Sequence, residues 1–186
     1  MPTSPLVLVT GPASSGKSEW AESLADQSRR RVIYIATAQR ITTDPEWEAK
    51  IQAHQQRRPP NWQLWEIPQD LAPGLADAPA DSCVLIDSLG TWVANHLTIS
   101  DPAWEKLVQE LLATLKELPA IKILVAEETG WGVIPAYPLG RLFRQRLGTL
   151  TRHIGIIADE VYLVTGGYVL PLHHLGMPLD STQLLI

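Results

Sequence analysis

The stretch Leu6-Val-Leu-Val-Thr-Gly-Pro-Ala-Ser-Ser-Gly-Lys-Ser18 constrains this chain more than any other part of it, because an apolar strand-like run passes directly into a glycine-bounded loop and then a helix signal. From Gly11 to Ser18 the spacing G-x-x-x-x-G-K-[ST] is met without a gap, and each fixed residue has a physical task. Gly11 and Gly16 let the backbone turn where a Cβ would clash, so that successive N–H groups face phosphate oxygens. Pro12, Ala13, Ser14 and Ser15 fill the loop between them. Lys17 supplies a mobile positive charge for the β- and γ-phosphates, and the Ser18 hydroxyl suits a Mg²⁺ ion. A helix over about Lys17 to Gln27, with Trp20, Ala21, Leu24 and Ala25 at helical spacing, adds its positive end to the same anion. A chain that opens this way handles a nucleoside triphosphate.

Further strand-like runs occur at Val32 to Ala36, Cys83 to Ile86, Ile121 to Ala126, Val161 to Thr165 and Tyr168 to His173. Most are apolar throughout, as strands covered on both faces are. Helix-like segments alternate with them, at about Asp44 to Arg57, Pro102 to Leu118 and Leu139 to Ala158. This predicts an α/β fold with a mainly parallel sheet and helices on both faces. Gly166-Gly167 reads as a tight hairpin that makes the C-terminal edge antiparallel. Pro68 to Asp81 reads as a surface connection or a short irregular helix. With 186 residues, 45% of them hydrophobic, the chain suffices for one domain over residues 1–186 with a full core.

The net charge of -5 argues against a general nucleic-acid binder. No segment approaches the roughly 18 apolar residues of a membrane span, and the N-terminus has no secretory pattern, so a cytoplasmic protein is expected. Cys83, the single cysteine, excludes an internal disulfide and reads as core filler. His96, His153, His173 and His174 show no metal-ligand spacing, and packing is the expected role of each.

Two further features bear on chemistry. Asp87 ends the apolar run Val84-Leu-Ile; such a carboxylate either holds a Mg²⁺ shell or caps the next helix, and the phosphate loop favours the metal. On the second helix Trp47, Ile51, His54 and Arg58 are spaced by 4, 3 and 4 residues, which puts them on one stripe. His54 is then either a packed imidazole or, with Arg57 and Arg58 to clamp phosphate, a group that acts on phosphorus.

Six segments in this order resemble the bifunctional adenosylcobinamide kinase / adenosylcobinamide-phosphate guanylyltransferases. They are the Gly11 to Ser18 loop, Tyr34-Ile-Ala-Thr37, Lys50-Ile-Gln-Ala-His-Gln-Gln-Arg-Arg-Pro59, Ile86-Asp-Ser-Leu-Gly-Thr-Trp-Val-Ala-Asn95, Glu128-Thr-Gly-Trp-Gly-Val-Ile-Pro135 and Ala158-Asp-Glu-Val-Tyr-Leu-Val164. The resemblance covers nearly the whole chain and implies a P-loop NTPase domain of RecA-like type. It implies phosphorylation of adenosylcobinamide with ATP or GTP, then transfer of GMP from GTP to adenosylcobinamide phosphate through a GMP-histidine at His54. Nucleotide contacts would fall on the phosphate loop, on Ile35, Ala36 and Thr37, on Gln55, Gln56, Arg57 and Arg58, on Glu66 and on Asp87. Lys17 would stabilise charge on the transferring group, with Mg²⁺ at Ser18 and Asp87. A homotrimer is also implied.

The chain departs from the family pattern at three places. Ala53 stands where many relatives have a histidine before the nucleophile, Glu127-Glu128 replaces Asn-Glu, and Thr151-Arg152 replaces Asn-Gln. The Glu128 to Pro135 element reads either as a loop near the substrate or as a structural connection. Two other readings of the residues stay open: a small-molecule kinase in which His54 only packs, and a GTP-binding switch or assembly protein.

Overall fold

The computed structural model describes residues 4–39 and 58–179. Seven strands form one sheet: β1 (Leu6–Gly11), β2 (Arg31–Ala36), β3 (Gln63–Glu66), β4 (Ser82–Asp87), β5 (Ile121–Glu127), β6 (Glu160–Thr165) and β7 (Tyr168–Pro171). Their order is β3-β2-β4-β5-β1-β6-β7. Every pairing is parallel except β6 with β7. The turn that reverses the chain there has Gly166 at φ 58° and Gly167 at φ 80°, the paired positive φ of a type I′ hairpin.

Among the described residues six helices accompany the sheet: α1 (Lys17–Gln27), α2 (Leu71–Ala76), α3 (Leu89–Asn95), α4 (Asp101–Glu117), α5 (Pro138–Ile157) and α6 (Leu172–Leu175). Side chains alternate between the faces of a strand, so the apolar strands feed two cores. Val7, Val9, Tyr34, Leu85, Ile123 and Val125 pack with Ala21 and Ala25 of α1. Leu8, Ile33, Ile35, Val84, Ile86 and Leu124 face α2 to α5. On α4 the buried residues Trp104, Val108, Leu111 and Leu115 recur at 4, 3 and 4, one stripe of a helix begun by Asp101 and Pro102.

The structure corrects several sequence boundaries. β1 runs two residues past Val9, because Thr10 and Gly11 pair with Ala126 and Glu127. The run expected to His173 stops at Pro171, and one helical turn follows. Of the two readings of Pro68 to Asp81 the short helix holds: α2 lies there, and its Leu71, Ala72 and Leu75 are buried in the core. β3 and α3 are additions. The second-helix segment lies outside the described residues.

Polar groups sealed between helices add constraints. Arg146, 4% exposed, donates to the carbonyls of His96 at 2.8 Å and Ile99 at 3.0 Å and to Asp101 Oδ1 at 2.8 Å, joining α5 to the start of α4. Cys83 is a buried free cysteine, and burial pushes its thiol up to about 11. His96 packs edge-to-face against Trp92, with ring centroids 5.0 Å apart.

Burial lowers the pKa of His96 below its ordinary 6.5, against smaller upward pulls from the Gln69 carbonyl and Asp70, while Arg146 adds to the lowering. Burial also lowers His153, with Arg152 adding to it. A depressed imidazole pKa means that the unfolded chain takes the proton first, so stability is level above 6.5 and falls as pH drops from 6.5 toward the folded value. The urea midpoint is therefore expected to be lower at pH 5.5 than at 7.5, with a smaller drop in His96→Gln. Equal drops in the two proteins would remove His96 from this account.

Candidate active site

All parallel strands end on one edge of the sheet, where open α/β folds gather ligands. β1 delivers the phosphate loop there. A Cβ on Gly11 would collide with the Val164 carbonyl of β6 and lie 2.7 Å from Ser15 Oγ, so only glycine fits. Ser14 and Gly16 take positive φ, 57° and 91°, which curls the loop into a concavity of N–H groups. Gly16 is the N-cap of α1 and offers no side-chain cap, leaving the first-turn N–H groups for an anion. Lys17 and Ser18 are buried. The Lys17 ammonium donates to the Pro12 carbonyl at 3.3 Å. Among the described residues Ser15 Oγ is buried without a partner.

Strand register sets the rest of this edge. Glu66 pairs with Ala36, Ala36 with Asp87, Asp87 with Val125, and Val125 with Val9. Directly paired residues share a face. Ala36, Val125 and Val9 belong to the α1 core, so Glu66 and Asp87 stand on the α1 side too. Asp87 Oδ2 accepts from the Tyr34 hydroxyl at 3.1 Å, and the Arg58 guanidinium lies 4.1 Å from the centre of the Tyr34 ring. Burial first, and the Asp87 charge second, raise the Tyr34 pKa far above its usual value, so the phenol stays a donor.

The alternative role for Asp87, capping the next helix, belongs to its neighbour. Ser88 is the N-cap of α3 and forms a capping box with Thr91. Ser88 is clamped from two sides. Thr37 Oγ1 donates to its carbonyl at 2.6 Å, and Glu127 Oε1 accepts from its hydroxyl at 2.5 Å. The other Glu127 oxygen accepts from Gly90 N–H at 2.9 Å, where a Cβ would collide with that same oxygen. The sequence reading assigned Tyr34, Ser88 and Glu127 no site role. Their signals were a tyrosine in an aliphatic strand, Ser88 three residues before Thr91, and a carboxylate at the end of β5 level with Gly11.

Of the expected nucleotide contacts, the loop residues, Ala36, Glu66, Arg58 and Asp87 come together on this edge. Ile35 packs in the opposite core. Thr37 is buried, its hydroxyl bound at Ser88 and its carbonyl accepting from Asn95 at 2.8 Å. His54, Gln55, Gln56 and Arg57 lie outside the described residues. Among the described residues no three His, Cys, Asp or Glu side chains cluster to hold a metal. The Ser18 hydroxyl and the Asp87 carboxylate, on the edge that carries the glycine-bounded loop, have the chemistry that suits Mg²⁺, which takes few protein oxygens and fills its shell with phosphate and water.

The family model for "Cobinamide kinase / cobinamide phosphate guanyltransferase" matches residues 7–172. The chain belongs to this family. It is 41% identical over 176 residues to the bifunctional adenosylcobalamin biosynthesis protein CobP of Pseudomonas aeruginosa, covering 92% of this chain and 98% of that one. To the bifunctional adenosylcobalamin biosynthesis protein CobU of Salmonella typhimurium it is 36% identical, covering 87% and 96%. Solved structures add the fold alone. The Pyrococcus horikoshii protein PH0250 aligns with TM-score 0.57 at 8% identity over 95% of this chain and 88% of that one. The flagellar accessory protein FlaH of Methanocaldococcus jannaschii aligns with TM-score 0.50 at 16% identity over 91% and 76%. The cobinamide kinase / guanyltransferase match runs from β1 to the first residue of α6, so it takes in the loop, Asp87 and Glu127.

Proposed function

We propose that this chain performs both reactions of cobinamide activation at this one edge of the sheet. In the first, the aminopropanol hydroxyl oxygen of adenosylcobinamide attacks the γ-phosphorus of ATP or GTP; the nucleoside diphosphate leaves and the hydroxyl proton passes to solvent. In the second, an imidazole nitrogen of His54 attacks the α-phosphorus of GTP and expels pyrophosphate. A phosphate oxygen of adenosylcobinamide phosphate then displaces the histidine, giving adenosylcobinamide-GDP and regenerating His54.

The observation that supports this reading best is the phosphate loop, with Lys17 buried at its base, sharing the sheet edge with an Asp87 carboxylate that the neighbouring helix does not use as its cap. Backbone N–H groups and Lys17 bind the triphosphate tail, while Tyr34 orients Asp87. Ser18 and Asp87 would hold Mg²⁺, which supplies charge neutralisation on the phosphates when bound. Among the described residues no helix is long and apolar enough to cross a membrane. A cytoplasmic homotrimer goes with this reading and rests on the family resemblance.

Labelled GTP tests it. With α-labelled GTP the protein is expected to acquire an acid-labile, alkali-stable label that chases into adenosylcobinamide-GDP. With γ-labelled nucleotide, label is expected in adenosylcobinamide phosphate. γ-Transfer without α-label would leave a plain kinase, and neither transfer would leave a nucleotide-binding switch.

A further inference from the structure

On the face of the sheet opposite α1, a cleft of about 720 Å³ opens between β1, α5 and the 128–135 segment. Leu8 and Thr10 form its floor, and Gly148, Thr151, Arg152 and Gly155 line its α5 wall. The spacing from Gly148 through Thr151 to Gly155 is one helical stripe. A Cβ on Gly148 would meet nothing within 4 Å, and one on Gly155 would make ordinary contact with Leu8 at 3.5 Å. Neither glycine has a positive φ. Inside a 20-residue helix both cost helix stability relative to alanine, and among the described residues nothing fills the space beside Gly148.

Two residues that line this space carry buried polar atoms. Thr10 is 8% exposed, and among the described residues its Oγ1, like Thr151 Oγ1, is buried without a partner. Buried hydroxyls are costly unless bonded, and these two belong to residues on opposite walls of one cleft. Thr10 immediately precedes Gly11, so the cleft floor lies one residue along β1 from the start of the phosphate loop. The 128–135 segment, whose Ile134 and Pro135 line the cleft beside Glu128, carries an exposed apolar rim: Trp131 is 66%, Val133 94% and Ile134 69% exposed. Arg144 of α5 ties that rim down by donating to the carbonyls of Gly130 and Gly132. A large apolar patch beside a polar-floored cleft suits an occupant with a flat apolar body and a polar arm.

We infer that this cleft is the acceptor site, taking the aminopropanol arm of the cobinamide, with the corrin ring against the Trp131 to Ile134 rim. This rests on the kinase reading above. Thr10 and Thr151 bond the amide and the terminal hydroxyl of the arm, and Arg152 meets the phosphate that the first reaction places there. Gly148 and Gly155 leave room for the arm to lie along α5.

The test uses the full chain with adenosylcobinamide as acceptor. Gly148→Leu projects a side chain into the cleft from an exposed helix position. It is expected to raise the acceptor KM at least tenfold and leave the KM for the nucleotide within twofold. Thr10→Val keeps the shape of the side chain and removes the hydroxyl, and is expected to lower kcat/KM for the acceptor about tenfold, the loss of one buried hydrogen bond. Gly148→Ala is expected to raise the thermal midpoint while moving the acceptor KM less than leucine does. An acceptor KM within twofold of wild type in Gly148→Leu overturns the assignment. Failure of the wild-type chain to phosphorylate adenosylcobinamide would instead overturn the kinase reading.

Discussion

Lys17→Met is expected to lower kcat/KM for both γ-phosphoryl transfer and guanylyl transfer by about 10²- to 10³-fold, the usual loss when one preorganised charge stabiliser is removed. The ammonium sits in a buried position at the base of the loop, where the bond it makes is a 3.3 Å contact to the Pro12 carbonyl. A triphosphate exchanges that neutral contact for charge-assisted bonds, which are shorter and stronger. Under the proposed mechanism both reactions depend on it. In one the γ-phosphoryl group moves, and in the other the β- and γ-phosphates leave together. Methionine keeps the length and apolar stem of the side chain, so the circular-dichroism midpoint should change little while both rates collapse. Losses below tenfold in both reactions would show that the loop backbone and metal carry the charge without Lys17.

Much of this arrangement was legible in the sequence because it rests on local rules. The loop is spelled out residue by residue, and the buried strands announce themselves as unbroken apolar runs. The elements that escaped depend on long-range context. β3 is the four-residue sequence Gln-Leu-Trp-Glu at the sheet edge, with an alternating half-exposed pattern, too short for periodicity to distinguish from a loop. α2 stayed one of two readings because it carries Pro73 and Gly74 within six residues, and tertiary burial of Leu71 and Leu75 outweighs that poor propensity. α3 was readable from Ser88 and Thr91 at capping-box spacing. Which residue capped the helix, and hence whether Asp87 remained available, required the geometry. So did the clamp of Glu127 on Ser88 and Gly90 and the unpartnered Thr10 hydroxyl, since each joins residues on different strands or faces.

His54→Ala is expected to abolish the α-label on the protein and to cut adenosylcobinamide-GDP formation by on the order of 10³-fold or more, as loss of a covalent nucleophile does. Phosphorylation of adenosylcobinamide should stay within about twofold, because there the attacking atom is the substrate's own hydroxyl oxygen. This split separates a nucleophile from a packed histidine, whose loss would lower both reactions through stability. Sequence position and the surroundings of the other four favour His54. It precedes Arg58 by four residues, a length of chain that spans at most about 14 Å, and Arg58 stacks on Tyr34, the partner of Asp87. His96 is buried against Trp92 and Trp104. His173 Nδ1 is engaged at Val161, and its ring packs on Tyr162. His153 lies on α5 and His174 beyond β7 at the far edge of the sheet. Because position 53 is alanine, no histidine adjoins His54 in the sequence to substitute for it, and the loss should be complete rather than partial. An α-label that survives in His54→Ala would move the covalent site elsewhere and leave the kinase reading standing.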